Sequence, residues 1–336
     1  MTSSIKDVAA KAGVSIGTVS NVLNHPDRVS PQTVERVQEA ISSLGFVRND
    51  AARQLRAGES KTIALMVFDA SNPFFADVAR GAEDTAAAHG YTVLVGNTSG
   101  SSERENTYLD VFEEQRVRGI LISPMSHVET RLITLRNFGI PAVLVDRVSD
   151  SQDISSVSVD DVAGGEIAAK HLLDTGRKHI GFVGGPLDVP QVRDRLIGAR
   201  RAVTTEKEAT LDIFETLQTT VLEGRRVGKT IAKMSPSERP EALFAANDLV
   251  AVGLLQALTA QGPLRVPQDI ALVGYDDIDF ARSAIVPLTS IRQPSSLIGK
   301  TAVDLLLKLA DNPDEPQRQV VFQPELVVRE STATTG

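Results

Sequence analysis

The sequence predicts two kinds of structure in one chain. An all-α head with a hinge helix behind it precedes a larger α/β body of two lobes built on parallel sheets. Three observations predict this. Apolar residues recur at helical spacing three times within the first 45 of 336 residues. From Lys61 onward, short and nearly unbroken apolar runs alternate with amphipathic segments, the pattern of parallel strands buried on both faces and joined by helices. The number of these units suggests two lobes.

In the head, "IKDVAAKAG" sets Ile5, Val8, Ala9 and Ala12 on one helical face and stops at Gly13. Ser15 stands where an N-cap belongs, and Val19, Val22 and Leu23 form the next apolar stripe. Gly17, Ser20, Asn21 and Asn24 project to the other side, with Ile16 at the edge. A third helix takes Ser30 as cap and Pro31 as its first residue. It carries Val34, Val37, Ile41 and Leu44 as its seam and ends at Gly45. Two helices joined by a Gly-containing turn resemble a helix-turn-helix. Small polar residues would let the second helix approach a major groove, and an Asn can pair with a base edge. Ser15, Ile16, Gly17, Thr18, Ser20, Asn21 and Asn24 are therefore the DNA-facing candidates of the head. An ordinary three-helix bundle with a solvated polar side fits the same pattern, and the pattern alone leaves both readings open.

Next comes "NDAARQLRAG", Asn49 to Gly58, a capped helix too short to be stable alone in water. Its only large apolar residue, Leu55, lies between Arg53 and Arg56. A linker helix that forms against DNA would use Leu55 as a wedge between base steps and its arginines near phosphates; Asn49, Ala52, Arg53 and Leu55 are the candidates there. A solvated linker with an incidental leucine is the plain alternative.

From the head through "NDAARQLRAGESKTIALMV" the chain resembles the lactose-repressor family of bacterial transcription regulators. The likeness continues through "SNPFF", "GGPLDVPQVRDRLIGARRA", "AANDLVAVGLLQAL", "VGYDDIDFA" and "PLTSIRQP", in order and across essentially the whole length. It implies a homodimer that puts helix-turn-helix pairs into major grooves and hinge helices into the central minor groove of a pseudo-palindromic operator. Two positions depart from it: Asn21 stands where many members have Arg, and Arg48 where many have Pro. The expected organisation is residues 1–47 for the helix-turn-helix domain, 48–60 for the hinge and 61–336 for effector binding and dimerisation. Within the last, lobe 1 covers about 61–159 and 292–322, and lobe 2 about 160–291 and 323–330.

Composition agrees with such a regulator. The net charge is −8, yet residues 1–60 carry +1, leaving the acidity to the body. That balance argues against non-specific nucleic-acid binding by the whole surface, so a DNA reading rests on motif geometry. There is no cysteine, and the five histidines are scattered, which leaves no thiolate chemistry and no His-pair zinc motif. No apolar run is long enough to span a membrane, and "MTSSIKDVAAKAG" has no secretory core. The expectation is a cytoplasmic, nucleoid-associated protein without cofactor.

In the body the strand-like runs are "TIALMVF", "YTVLVGN", "RGILIS", "IPAVLVD", "SSVSVD", "HIGFVGG", "ALFAAN" and "DIALVG". "LTSIRQP" is expected to cross back to the first lobe and the last strand to lie near "VVFQPELVV"; the resemblance, which implies the arrangement of periplasmic sugar-binding proteins, supplies the crossover. Ligands of open α/β sheets bind beyond the C-terminal ends of strands. The residues there are Asp69, Phe74, Phe75, Asp146, Arg147, Gln191, Arg193, Asn247 and Asp276, with Gln293 on the crossover. Carboxylates accept two hydroxyls, Arg donates a planar fork, and Phe packs on the C–H face of a ring, so the set suits a small sugar. Two Phe and no Trp favour a small ring, a pentose or deoxyhexose. Asp248 and Asp277 read as helix or turn caps, and Arg195 equally as a brace.

The functional expectation is a repressor of a carbohydrate uptake or catabolism operon, controlled allosterically by a monosaccharide. The resemblance leaves two further effectors open. One is a purine, against which Val189 stands where purine-responsive members carry Arg; the other is a phosphorylated carrier protein. A sugar-processing α/β enzyme would need a nucleophile or phosphate-binding motif, which the sequence lacks, and it leaves the head unexplained.

Overall fold

The computed structural model describes residues 3–46, 60–125, 127–149, 151–260, 262 and 264–333. The chain divides into two compact units, Met1–Glu59 and Ser60–Gly336.

Among the described residues of the first unit there are three α-helices, Ile5–Ala12, Ile16–Asn24 and Pro31–Leu44, with a 3-10 turn at Pro26–Arg28. Side-chain caps open all three, since Ser4, Ser15 and Ser30 each accept a backbone N–H three residues on. Gly13 and Gly45 close the first and third in the left-handed region, at φ 64° and 57°. The seams meet in a small core of Val8, Ala9, Ala12, Val19, Val22, Val37 and Ala40. The hinge segment expected over 48–60 lies outside the described residues up to Glu59, and with it Asn49, Ala52, Arg53 and Leu55.

The second unit contains two six-stranded sheets. The strands in chain order are β1 (Thr62–Val67), β2 (Thr92–Asn97), β3 (Gly119–Ile122), β4 (Ala142–Val145), β5 (Ser155–Val159), β6 (His179–Val183), β7 (Thr210–Phe214), β8 (Ala242–Ala245), β9 (Ala271–Asp276), β10 (Thr289–Arg292), β11 (Gln319–Phe322) and β12 (Glu325–Val327). The first sheet has the order β11-β5-β4-β3-β1-β2 and is parallel throughout. The second has the order β12-β10-β9-β8-β6-β7, parallel except for β10 with β12. The chain therefore passes between the sheets three times: after β5, after β10 and between β11 and β12.

Alternation along β1 shows why the strands read as apolar without a break. Ile63, Leu65 and Val67 face a cluster under the helices Pro73–Ala88 and Ser295–Asp311, while Ala64 and Met66 face Leu109, Phe112 and Leu132 on the other side. Those two helices touch backbone to backbone: a Cβ on Gly81 would strike the main chain of Ser296, and one on Gly299 the carbonyl of Val78. The helix after the second crossing is thus seated on the first lobe.

Three segments differ from expectation. "TLDIF" forms the edge strand β7, whose half-exposed, mixed composition gives no long apolar run. "LTSIRQP" is a strand of the second sheet first, and the crossing begins only after Arg292. "VVFQPELVV" is two short strands, one in each sheet, separated at Gln323–Pro324 where the proline has no N–H for a ladder.

Candidate functional site

On the head, Ser15, Ile16, Gly17, Asn21 and Asn24 are exposed and Thr18 and Ser20 half-buried. Ile16 is 41% exposed and takes no part in the small core of the head. Ser15 and Thr18 serve the helix start, as Ser15 Oγ accepts from Thr18 N and bonds the Thr18 hydroxyl at 2.9 Å. Asn24 folds back on its own helix, donating to Ser20 O at 2.8 Å. Asn21 stands outward, and a Cβ at Gly17 would meet only Ser15 Oγ.

In the body, strand ends from both sheets converge on one buried cluster. Arg195 occupies its centre. Its Nε donates to Asp161 Oδ1 at 2.8 Å and Nη1 to the Ala246 carbonyl at 2.7 Å. The guanidinium lies 3.7 Å over the Tyr275 ring and Nη1 is 3.8 Å from Asp276 Oδ1. Asp276 accepts from Asn72 Nδ2 at 3.0 Å and Gln293 Nε2 at 2.8 Å. Across the cleft, Gln191 Nε2 donates to Asp146 O at 2.5 Å and to its carboxylate at 3.1 Å. The lobes are thus bridged twice, by Asn72 to Asp276 and by Gln191 to Asp146. Phe74 and Phe75, edge to face at 5.1 Å, wall the inner side with Phe68. Asn247 caps the helix Asp248–Leu255 and donates to Thr219 O.

The backbone is unusual where the carboxylates sit: φ is 60° at Asp146, 104° at Asp276 and 56° at Asp277. Non-glycine residues in that region are strained and concentrate at functional sites. A buried network holds the strain at Asp276 and Asp277. Asp248 accepts from Ser290 Oγ at 2.7 Å and Ile278 N at 2.9 Å, and Asp277 pairs with Arg292 and Arg329. Asp248 is therefore not the cap of its own helix; it clamps the turn that carries Asp276, and Gly274 has no side chain because Asp248 Oδ1 fills that space.

Electrostatics follow from packing three carboxylates around one guanidinium. Burial raises the pKa of Asp146, Asp161 and Asp276, and the Asp161 charge raises Asp146 further, while Arg195 pulls all three down. For Arg195 burial opposes the charge, but Asp161, Tyr275, Asp276 and Asp146 outweigh it and the pKa is raised.

Two expected residues lie outside the buried cluster, Asp69 away from the cleft and Arg193 on its outer cavity. Asp69 lines neither cavity of the cleft, and its carboxylate closes a turn by accepting from Ser71 N. Arg193 is 55% exposed at the cleft rim, paired with Asp194. Gln191 and Arg195 are four apart on the helix Pro190–Thr205 and share the face toward the inner cavity, whereas Arg193 lines only the outer one; helical spacing is the signal that distinguishes the two arginines. Arg147 lines the outer part, 3.9 Å from Glu129. Asn72, Asp161 and Tyr275 were not singled out from the sequence; Asn72 sits inside the quoted "SNPFF", and Asp161 follows the run "SSVSVD" directly.

Residues 4–49 match the bacterial regulatory proteins of the lacI family, and residues 169–332 match the periplasmic binding protein-like domain. The chain is 36% identical over 337 residues to the HTH-type transcriptional repressor PurR of Aliivibrio fischeri, covering 98% of each. The chain belongs to the lacI family. It is 35% identical to the ribose operon repressor of Escherichia coli, over 97% of this chain and 99% of that one. Among solved structures, the lac repressor dimer bound to operator and the anti-inducer ONPF superposes with TM-score 0.81 at 29% identity, over 99% and 100% of the two chains. A lacI family regulator from Enterococcus faecium with bound ribose gives 0.74 at 26%, over 81% and 98%. Membership makes this protein a DNA-binding transcriptional regulator of a repressor family, not an enzyme, and implies the cytoplasm as its place. Among the described residues no helix is long and apolar enough to cross a membrane, and no group of acidic or histidine side chains could hold a metal.

Proposed function

We propose that this protein is a homodimeric repressor that binds a pseudo-palindromic operator and is controlled by a small sugar in the cleft. One observation carries the effector reading: the cluster of Asp146, Asp161, Arg195, Asn247, Asp276 and Gln293 draws from both lobes beside the faces of Phe74 and Phe75. Hydroxyl groups satisfy such a set and a ring's apolar side covers the phenylalanines. The ribose-bound relative supports a pentose. Val189 lines the inner cleft and offers a purine no charged donor, so sugar is the first reading.

Ser15, Ile16, Gly17, Thr18, Ser20, Asn21 and Asn24 are the major-groove set, and Asn49, Ala52, Arg53 and Leu55 the hinge set, within the divisions 1–47, 48–60 and 61–336. Dimerisation is supported by the edge strand β2, which leaves Leu94 and Val95 41% and 43% exposed. On its operator the protein is nucleoid-associated. The sugar works by preferring one lobe arrangement, and its effect on operator affinity is bounded by that preference, ~1–3 kcal/mol. The test is footprinting across its own genome, followed by operator titration with and without sugar. Protected pseudo-palindromes released by a sugar are expected; no protected palindrome would sink the repressor reading.

A further inference from the structure

After β12 the chain stays on the second sheet. Residues 329–332 run back across the starts of β9 and β10, where Ser331 and Thr332 are fully buried. Ser331 anchors this strap. Its N–H donates to Pro287 O at 3.0 Å, its carbonyl accepts from Leu272 N at 3.0 Å and its Oγ accepts from Thr289 N at 2.8 Å. Arg329 reaches from the strap to the turn after β9. Its Nη1 donates to Leu288 O at 2.7 Å, and its Nη2 lies 2.6 Å from Asp277 Oδ1. No hydrogen bond reaches that oxygen among the described residues, so charge makes the contact.

Asp277 is the hub of the turn. Its side chain is 1% exposed and faces two guanidinium groups, Arg292 at 46% exposure and Arg329 at 14%. Water screens the first; the second acts where screening is weak and a charge partner counts for most. Asp276 and Asp277 are consecutive non-glycine residues at φ 104° and 56°. Such a conformation lasts only while its surroundings over-determine it. Asp276 in turn presents its oxygens to Asn72 and Gln293 in the cleft, 3.0 and 2.8 Å away.

We infer that Arg329 is a positioning residue of the effector site. It lines neither cavity of the cleft, yet its charge on Asp277 sets the direction in which Asp276 is presented there. Without Arg329, a buried carboxylate loses its unscreened partner. The turn relaxes to bring Asp277 toward water, and Asp276 leaves its place beside Gln293. This rests on the sugar reading above and deepens it: the C-terminal strap, outside the cleft, governs effector affinity.

The experiment compares Arg329→Met, Arg329→Lys and Ser331→Ala in the full chain. The probe is whichever free pentose or hexose binds the wild type most tightly by calorimetry. Each variant is read for affinity, for Tm and for amide exchange at Asp277 and Ile278, whose N–H groups are held by Ser290 and Asp248. Ser331→Ala removes an anchor of the strap and measures what loosening alone does. Arg329→Met is expected to lose at least five-fold in affinity, more than its fall in Tm explains on the scale set by Ser331→Ala, and to exchange faster at Asp277 and Ile278 than Ser331→Ala does. Arg329→Lys keeps the charge and recovers part of the affinity. Wild-type affinity in Arg329→Met, a loss that merely follows Tm, or an Arg329→Lys no better than Arg329→Met each overturns the inference and leaves the sugar reading standing. If no pentose or hexose binds the wild type, the sugar reading falls and this inference with it.

Discussion

Asp276 ends β9 at φ 104°, and its two oxygens are held by Asn72 from one lobe and Gln293 from the crossover. Asp276→Asn keeps the shape and tolerates the backbone, since Asn is among the residues enriched at positive φ. It turns one acceptor into a donor facing donors, so effector affinity falls at least ten-fold while effector-free operator binding persists; paired titrations of sugar and operator check this. A mutant that binds sugar like wild type would take Asp276 out of the site. The two arginines give a second contrast. Arg195→Lys loses the fork that reaches Asp161 and Ala246 together, and both effector affinity and Tm drop. Arg193→Ala, at the rim, changes unfolding free energy by less than about 0.5 kcal/mol in denaturant titration. Much of this site was legible as residue types at strand ends, because sheet topology alone puts them there. What stayed illegible was partnership. That Asp248 would serve a turn thirty residues on depends on a buried hydrogen bond, for which local spacing carries no signal.

Among the elements, the helix Ile16–Asn24 divides its polar residues by task. Ser15, Thr18, Ser20 and Asn24 hydrogen-bond within it, whereas Asn21 points outward. Asn21→Ala should therefore weaken specific operator binding by ~1–3 kcal/mol with little change in Tm, measured by gel shift and thermal melting. Ser15→Ala, which removes a cap, costs ~1 kcal/mol of stability as well. For the hinge, Leu55→Ala is expected to cost ~1–3 kcal/mol on operator and almost nothing on random DNA, because only a kinked site accepts a wedge. Equal losses on both would make Leu55 a residue of the fold. The head was readable helix by helix, with the caps Ser15 and Ser30 and the stops Gly13 and Gly45, since each is a local chemical event; the Ser4 cap was not read. The short strands β7, β11 and β12 were harder to read, as half-exposed edge strands are neither alternating nor continuously apolar.

At the scale of the molecule, charge and burial combine into a pH dependence. Burial raises the pKa of Asp146, Asp161, Asp248 and Asp276 above the ordinary carboxylate range. The folded chain then binds more protons than the unfolded one from about pH 4 up to those raised values, and stability contributed by these groups falls as pH rises through that window. Hydroxyl donors favour the ionised carboxylates, so sugar binding releases protons and tightens with rising pH over the same range. Calorimetry in buffers of different ionisation enthalpy reads the release directly. Proton uptake on binding would show that the carboxylates are not the sugar's acceptors.

The threefold passage between the sheets also has a consequence for biosynthesis. Strands β1 to β5 leave the ribosome early, but the helix Ser295–Asp311 that covers Ile63, Leu65 and Val67, and the edge strand β11, come last. At ~5–20 residues per second, roughly 8–30 s separate the end of β5 from the end of that helix. During that interval the nascent first lobe presents an uncovered apolar sheet face while the whole second lobe is being made. Ribosome-bound chains halted near residue 200 should therefore bind chaperones and be cut by protease within the first lobe. Chains released at full length, with the helix in place, should resist.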